Sequence, residues 1–245
     1  MEEFEFRLLG PIEARRNRAA VSLGGRKQRA VLALLLLEAP TPVAPWRFVD
    51  ELDTTPAALH VHIARLRRGL GADAIVTRPA GYGLAAPTRS VDVHTFERLV
   101  RGAAQAGPHA RSETLGQALA LWRGHALADF VDLPFARPAS ARLEELRLVA
   151  EELRLEAELR LGRHASALPR LAALVVEHPF RESLRALFMT ALYRRGRQAD
   201  ALAVYREARR LLADELGLEP SRVLRAAERA ILLQEKEIST SYFSD

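Results

Sequence analysis

Cysteine is absent from this chain of 245 residues, and its absence excludes disulfides, thiolate metal sites and cysteine nucleophiles. Long apolar segments are absent as well: the longest run is AVLALLLL at 30–37, whereas a membrane-spanning helix needs about 20 residues. The chain begins MEEFEFRLLG, which is acidic and alternates in hydropathy, unlike a secretory signal peptide. These features predict a cytoplasmic protein with no membrane partner.

Lysine is nearly absent, since Lys27 and Lys236 are the only two among 36 basic side chains and the rest are arginine. The guanidinium presents a planar fork of donors suited to phosphate and guanine, although a GC-rich genome also raises arginine content. Residues 1–89 carry 13 basic against 9 acidic residues, while residues 90–245 carry 23 against 22. The positive charge of the first third favours a nucleic-acid-binding segment there.

The first third alternates between short strand patterns and helical patterns. The predicted elements are strands within 4–10, 12–16 and 19–23, helices at 26–39, 45–52 and 57–70, and a hairpin within 74–87. Strands, three helices and a terminal hairpin in this order predict a winged helix-turn-helix domain at 1–89. A proline-bounded stretch at 87–92 is the expected linker.

The remainder of the chain shows helical periodicity only, so the predicted fold is mainly α with a small β component. An internal repeat of 34 residues, the tetratricopeptide period, aligns LGRHASALPRL with RGRQADALAVY. It pairs Gly162 with Gly196, Ala167 with Ala201 and Leu171 with Tyr205. We therefore predict a tetratricopeptide-like helical domain at 90–235, followed by a flexible tail at 236–245.

The helix at 57–70 is unusual because its segment, TPAALHVHIARLRRGLG, contains no acidic residue. Leu59, Ile63, Leu66 and Leu70 form one apolar stripe that faces a core. The opposite face and its flanks carry His60, Val61, Ala64, Arg65, Arg67 and Arg68. Small apolar groups can meet a thymine methyl while arginines reach guanine edges or phosphates, so this face suits a major groove. The alternative is a basic face that only solvates the helix.

Neighbouring residues complete a candidate DNA-binding module. Arg47 begins the preceding helix and, with Arg67 and Lys27, is a candidate for backbone phosphates. Arg78, at the hairpin, is a candidate for the adjacent minor groove. Tyr82 is expected to pack the hairpin against the helices.

The segments LHVHIARLRRGLG and IVTRPAGYGL resemble the recognition helix and wing of OmpR/PhoB-type winged helices, the effector domains of two-component systems. The flanking segments SLGGRKQRAVLALLLLEA, VDVHTFERLV, ALALWRGHALAD and ALYRRGRQADALAVYREARRLLADELGLEP resemble the SARP family of antibiotic regulatory proteins. The resemblance covers residues 4 to 235. One departure is a shorter connection between the second and third helices, where DEL runs directly into DTTPAAL.

The resemblance implies a winged helix joined to a bacterial transcriptional activation domain. It further implies a nucleoid-associated activator that binds promoter direct repeats in double-stranded DNA, usually as two protomers side by side, and recruits RNA polymerase to secondary-metabolite genes. It implies no cofactor. Whether the protein dimerises without DNA stays open.

Two other classes of function were weighed. The first class is an enzyme, but GGRKQR lacks the residue spacing of a phosphate-binding loop. His60 and His62 lie two residues apart on a helix and point in different directions, so they do not share a metal ion. The glutamates at 144–158 alternate with arginines as a salt-bridged helix face, and no catalytic or metal site is expected. The other class is a helical-repeat scaffold with a degenerate winged helix that does not bind DNA.

Overall fold

The computed structural model describes residues 4–235, and the predicted tail at 236–245 lies outside them. The fold is mainly helical with a small β component, as predicted. The chain forms two compact units: residues 4–104 with 116–150, and residues 105–115 with 151–235. The boundary between residues 89 and 90 stays a prediction. Among residues 4–235, no helix has both the length and the apolar character needed to cross a bilayer.

A small antiparallel sheet begins the first unit. It consists of β1 (Phe4–Arg7), β2 (Glu13–Arg16) and β3 (Ala19–Ala20), in that order. Asn17 and Arg18 join β2 to β3 with φ values of 50° and 70°, and positive φ at both positions matches the twist of a two-residue hairpin. Phe6 points from β1 into the core and is fully buried.

Three helices and a second hairpin follow, confirming the predicted winged helix-turn-helix order. They are α1 (Arg26–Glu38), α2 (Pro45–Leu52), α3 (Pro56–Leu70), β4 (Ile75–Arg78) and β5 (Gly81–Leu84). The helix α1 is the central one, because its apolar run at 30–36 is buried throughout. The helices α2 and α3 and the strand β5 all pack against it.

The expected linker at 87–92 is exposed or partly exposed at 87–90, and its last two residues are buried. Val91 pairs with Phe6 of β1, and Asp92 begins α4 (Asp92–Ala103) as a buried carboxylate. Asp92 accepts hydrogen bonds from the backbone N–H groups of Leu8, Leu9 and Val93 at 2.8–3.0 Å. Asp92 thus supplies acceptors to the backbone donors that follow β1, and the prediction that residues 87–92 link two domains stays a prediction.

The first unit also includes residues beyond α4. Backbone N–H groups of Arg123 and Leu127 donate to the carbonyls of Leu9 and Leu8, at 2.8 Å and 2.9 Å. The helices α5 (Pro108–Leu119) and α6 (Ala136–Arg160) precede and follow this segment. The N-terminal strands therefore belong to the same compact unit as residues 116–150.

The second unit contains the repeat. Its remaining helices are α7 (His164–Glu177), α8 (Glu182–Arg194), α9 (Gln198–Leu216) and α10 (Arg222–Leu232). The helices α7 and α9 begin 34 residues apart, each after a glycine with φ near +75°. Ala167 and Ala201 are fully buried, which allows paired helices to approach closely. The predicted repeat is confirmed in both spacing and packing.

The acidic residues of α6 include two that are buried. Glu158 and Glu144 form ion pairs with arginines of the same helix, as the alternation predicts. Glu152 and Glu156, however, are 0% and 1% exposed. Glu152 accepts a bond from Arg181 Nε at 2.6 Å, and burial raises the pKa of Glu156. Glu152 and Glu156 each have an arginine partner, Arg181 and Arg160, and removal of either partner would leave a buried carboxylate unpaired.

Candidate DNA interface

The helix α3 presents its acid-free face to solvent. Leu59, Ile63, Leu66 and Leu70 are at most 2% exposed and face the core. On the opposite side His60, Val61, Ala64, Arg65 and Arg68 are all exposed. The five predicted contact residues of this face therefore form one surface of small apolar and basic groups.

The connection between α2 and α3 is a three-residue turn, Asp53 to Thr55. Asp53 has φ 43° and ends α2, and its carbonyl accepts a bond from Lys27 Nζ at 2.7 Å. Thr55 caps α3 by accepting a bond from the Ala58 N–H at 3.2 Å, and Pro56 occupies the first helical position. The shorter connection thus keeps the signals that start α3.

Arg67 joins α3 to the wing, the hairpin of β4 and β5. Its Nε donates to the Ile75 carbonyl at 2.9 Å, and its Nη2 donates to Thr77 Oγ1 at 2.9 Å. A guanidinium has five N–H donors, so those without a partner here can still meet a phosphate. The predicted phosphate contact by Arg67 stays a prediction, and its observed role is to fix the wing.

Tyr82 packs α2, α3 and the wing together, as expected. Its ring lies edge-on to Phe48 of α2 at 6.3 Å and to His60 of α3 at 6.4 Å between ring centres. Val43 continues the hairpin by exchanging two backbone hydrogen bonds with Tyr82, at 2.7 Å and 3.0 Å. The residues before α2 are therefore tied directly to the wing.

Arg47 forms ion pairs within the protein, whereas Arg78 is exposed to solvent. Arg47 Nη2 lies 2.7 Å from Glu38 Oε1, and its Nε lies 3.9 Å from Glu51. A phosphate contact by Arg47 would have to compete with both carboxylates. Arg78 is exposed at the end of β4, beside the turn of the wing.

His62 is a residue of this surface that sequence reasoning did not select. Burial, followed by the positive charges of Arg65 and Lys27, lowers the pKa of its imidazole. The ring is therefore neutral at physiological pH and adds no charge beside the two cations. Its spacing of three residues from Arg65 on one helix was the signal that could have found it.

Metal chemistry has no candidate here: within residues 4–235, His, Asp and Glu side chains form no group of three that could hold a metal ion.

Residues 91–232 match the bacterial transcriptional activator domain family. The regulatory protein DnrI of Streptomyces peucetius is 41% identical over 249 residues, which cover 93% of this chain and 92% of DnrI. The chain belongs to the SARP family of transcriptional regulators. SARP proteins are regulators and not enzymes, so that prediction is confirmed.

Other SARP-type relatives are longer. The regulatory protein AfsR of Streptomyces griseus is 38% identical over 97% of this chain, and the match spans 25% of AfsR. A solved structure, Mycobacterium tuberculosis EmbR in complex with a low-affinity phosphopeptide, is similar with a TM-score of 0.91 and 34% identity. That similarity covers 98% of this chain and 68% of the EmbR chain. This SARP chain therefore corresponds to a part of AfsR and of EmbR.

Replacing Arg67 with alanine is expected to loosen the wing of this SARP protein. The change removes both hydrogen bonds from α3 to the hairpin, at a cost of about 1–2 kcal/mol in the free energy of unfolding. Amide exchange at residues 75–84 should accelerate, whereas exchange within α1 should be unchanged. Arg68→Ala, one residue along and exposed, is the control, and equal exchange in the two variants would contradict the role of Arg67.

Proposed function

We propose that this SARP protein binds promoter DNA at direct repeats and activates a secondary-metabolite gene cluster. The observation that carries the proposal is the exposed, acid-free face of α3, held beside a wing that Arg67 and Tyr82 fix. Two protomers bind side by side on the repeats, and the helical domain recruits RNA polymerase. DNA binding by a winged helix requires this juxtaposition of a helix for the major groove and a hairpin for the adjacent groove.

Each residue of the face has a proposed role. Arg65 and Arg68 reach base edges or phosphates in the major groove, because arginine can bond both guanine acceptors at once. Val61 and Ala64 leave room for, and can contact, thymine methyl groups. His60 is restrained by the Tyr82 ring, so it contributes to sequence choice with little loss of rotamer freedom.

The remaining candidates position the protein on the duplex. Lys27 is exposed in the first turn of α1, and its ammonium lies at the turn between α2 and α3, where it can reach a phosphate. Arg47 and Arg67 contribute to phosphate binding through the guanidinium N–H groups that do not bond to other residues of the protein. Arg78 enters the minor groove beside the wing.

The test is selection from genomic DNA. The purified protein is incubated with sheared DNA of its own genome at about 0.15 M salt, where non-specific binding is weak, and the retained fragments are sequenced. We expect enrichment of a few promoters that carry direct repeats. The double variant Arg65→Ala, Arg68→Ala should lose this enrichment while it stays folded.

Arg65→Ala alone separates base contact from phosphate contact. If Arg65 bonds a guanine, the variant loses about 1–3 kcal/mol of binding free energy and relaxes preference at one base pair. If Arg65 bonds a phosphate, all sequences weaken alike. Affinity is measured on a selected promoter and on single-base variants of it. Arg101→Ala, which removes an exposed arginine of α4, is the control for net charge. Equal affinity of wild type and Arg65→Ala would exclude Arg65 from the interface.

A second candidate function is that of a partner-binding scaffold without DNA binding. It is favoured by exposed apolar residues in the second unit, where Val176 is 80% exposed and Phe180 is 47% exposed. Such residues in helical repeats often contact partner proteins. Failure of the folded protein to enrich any promoter would favour this function over the first.

A further inference from the structure

Trp46 is the most exposed large apolar side chain in residues 4–104. It is 67% exposed in the first turn of α2, and Val61 of α3, at 47%, is the other large apolar side chain exposed in that range. Tryptophan is highly buried on average, so an exposed one in a packed domain indicates a surface that a partner covers. Both exposed residues lie in the helix-turn-helix.

The start of α2 is held firmly against the wing. Val43 pairs with Tyr82, and the backbone of Val43 and Ala44 contacts Gly81 so closely that no side chain would fit there. Because Gly81 directly follows the turn of the wing, Trp46 is presented near the residues proposed to meet DNA. This placement needs no rearrangement of the protein.

The side chain of Arg47 does not cover the N-terminal end of α2. Its guanidinium is turned to Glu38 and Glu51, so the exposed side chains of the first turn are Pro45 and Trp46. The indole of Trp46 also carries an N–H donor, and the exposure of the side chain leaves that donor accessible to a partner. The first turn thus offers a flat apolar ring with one N–H.

We propose that Trp46 packs against a deoxyribose of the DNA strand beside the major groove and donates its indole N–H to the adjacent phosphate. The inference rests on the proposed DNA binding and names the residue through which α2 takes part. In helix-turn-helix proteins the first helix crosses the DNA backbone, and sugar and phosphate are what that position meets. The contact is independent of base sequence.

The charges around Trp46 favour DNA over a protein partner. Exposed cations of the same module, Lys27, Arg65, Arg68 and Arg78, suit a polyanion. Glu51 of α2 is near Arg47, and Asp50 is exposed four residues after Trp46, so the phosphate contact is placed at the N-terminal end of α2, away from these carboxylates. A partner that covers Trp46 must also be compatible with the basic face of α3, and a phosphate backbone is.

Intrinsic fluorescence tests the contact directly, because the chain has only two tryptophans, Trp46 and Trp122. The signal of Trp46 is the difference between the wild type and Trp46→Phe. A short mixed-sequence duplex is added at about 50 mM salt, where non-specific binding is strong. We expect the duplex to protect Trp46 from acrylamide quenching and to leave Trp122 unchanged.

Affinity measurements on the same duplex give the second readout. Trp46→Ala is expected to bind about tenfold more weakly, and Trp46→Phe to fall between it and the wild type. The slope of affinity against salt should not change, since a neutral ring releases no counterions, whereas Arg65→Ala, Arg68→Ala should reduce that slope. Thermal unfolding of the Trp46 variants should match the wild type because the side chain is exposed.

Three outcomes would overturn the inference. If the double arginine variant binds weakly and Trp46→Ala binds normally, DNA binding stands and the Trp46 contact is wrong. If Trp46→Ala retains DNA affinity and loses activation of a reporter promoter, Trp46 contacts a protein partner. If the wild type binds neither the duplex nor any genomic fragment, the proposed function itself fails.

Discussion

Asp92→Ala is expected to lower the free energy of unfolding of the first unit by about 3–5 kcal/mol. The carboxylate accepts hydrogen bonds from three backbone N–H groups, those of Leu8, Leu9 and Val93, and it is only 8% exposed. Alanine would leave these buried donors without an acceptor, and each unsatisfied group costs about 1–3 kcal/mol. Residues 8 and 9 would lose their attachment to α4.

Chemical unfolding measures this effect, followed by the fluorescence of Trp122 in a Trp46→Phe background. The Trp122 ring lies edge-on to Phe96 of α4, with 5.3 Å between ring centres, so its emission reports the packing that Asp92 anchors. Asp92→Asn is the matched control: one amide oxygen can keep some of the bonds, but the amide N–H group opposes a backbone donor.

The ionisation of Asp92 adds a second contrast. Burial raises the pKa of Asp92, and the backbone donors oppose this effect. A raised pKa means that the folded state binds the proton more tightly than the unfolded state. The free energy of unfolding therefore falls as pH rises and Asp92 ionises, and asparagine, which does not ionise, avoids that loss. The loss in Asp92→Asn should therefore be smaller than in Asp92→Ala. Equal stability of wild type and Asp92→Ala would show that water satisfies the three donors.

Gly81→Ala is expected to destabilise the winged helix by about 3 kcal/mol or more and to abolish high-affinity DNA binding. A Cβ at this position would lie 2.0 Å from the Val43 carbonyl oxygen and 2.9 Å from Ala44 Cα. Gly81 also has φ +133°, which side-chain-bearing residues rarely adopt. The substitution must separate β5 from the segment that leads into α2.

Gly83→Ala, two residues along the same strand, is the control for this prediction. Its new Cβ would meet Pro42 at 3.8–3.9 Å, an ordinary contact, and Gly83 has no positive φ. Thermal unfolding and affinity for a selected promoter should therefore change little in Gly83→Ala. Similar losses in both variants would show that β5 tolerates no side chain in general and would remove the special role of Gly81.

Much of the fold was predictable because its signals are local. The bounds of α2 match the predicted 45–52, and α3 begins one residue before its predicted start. Pro45 and Thr55 mark the two helix starts by chemistry that needs no tertiary context. The division of α3 into a buried and an exposed face follows from apolar periodicity, and the 34-residue repeat follows from the similarity of two segments of the sequence.

The candidate site was predictable only in part. The exposed positions of α3 could be named from the sequence. The ion pair of Arg47 with Glu38 and the hydrogen bonds of Arg67 with Ile75 and Thr77 could not, because each depends on how the chain turns between the two partners. Trp46 was not selected as a contact, because its exposure is decided by the packing of α2 in the folded domain.

The sequence by itself determined the order of elements, the acid-free face of α3 and the repeat, because periodicity, capping residues and turn residues act over a few positions. Tertiary structure alone decided that Asp92 holds the backbone of Leu8 and Leu9 after β1, that Glu152 is buried with Arg181, and that residues 116–150 join the first unit. The contacts of Asp92 with Leu8 and of Glu152 with Arg181 connect residues 84 and 29 positions apart. Nothing in a short window of sequence specifies a partner at that distance, because the buried polar group requires a partner only once the fold has removed it from water.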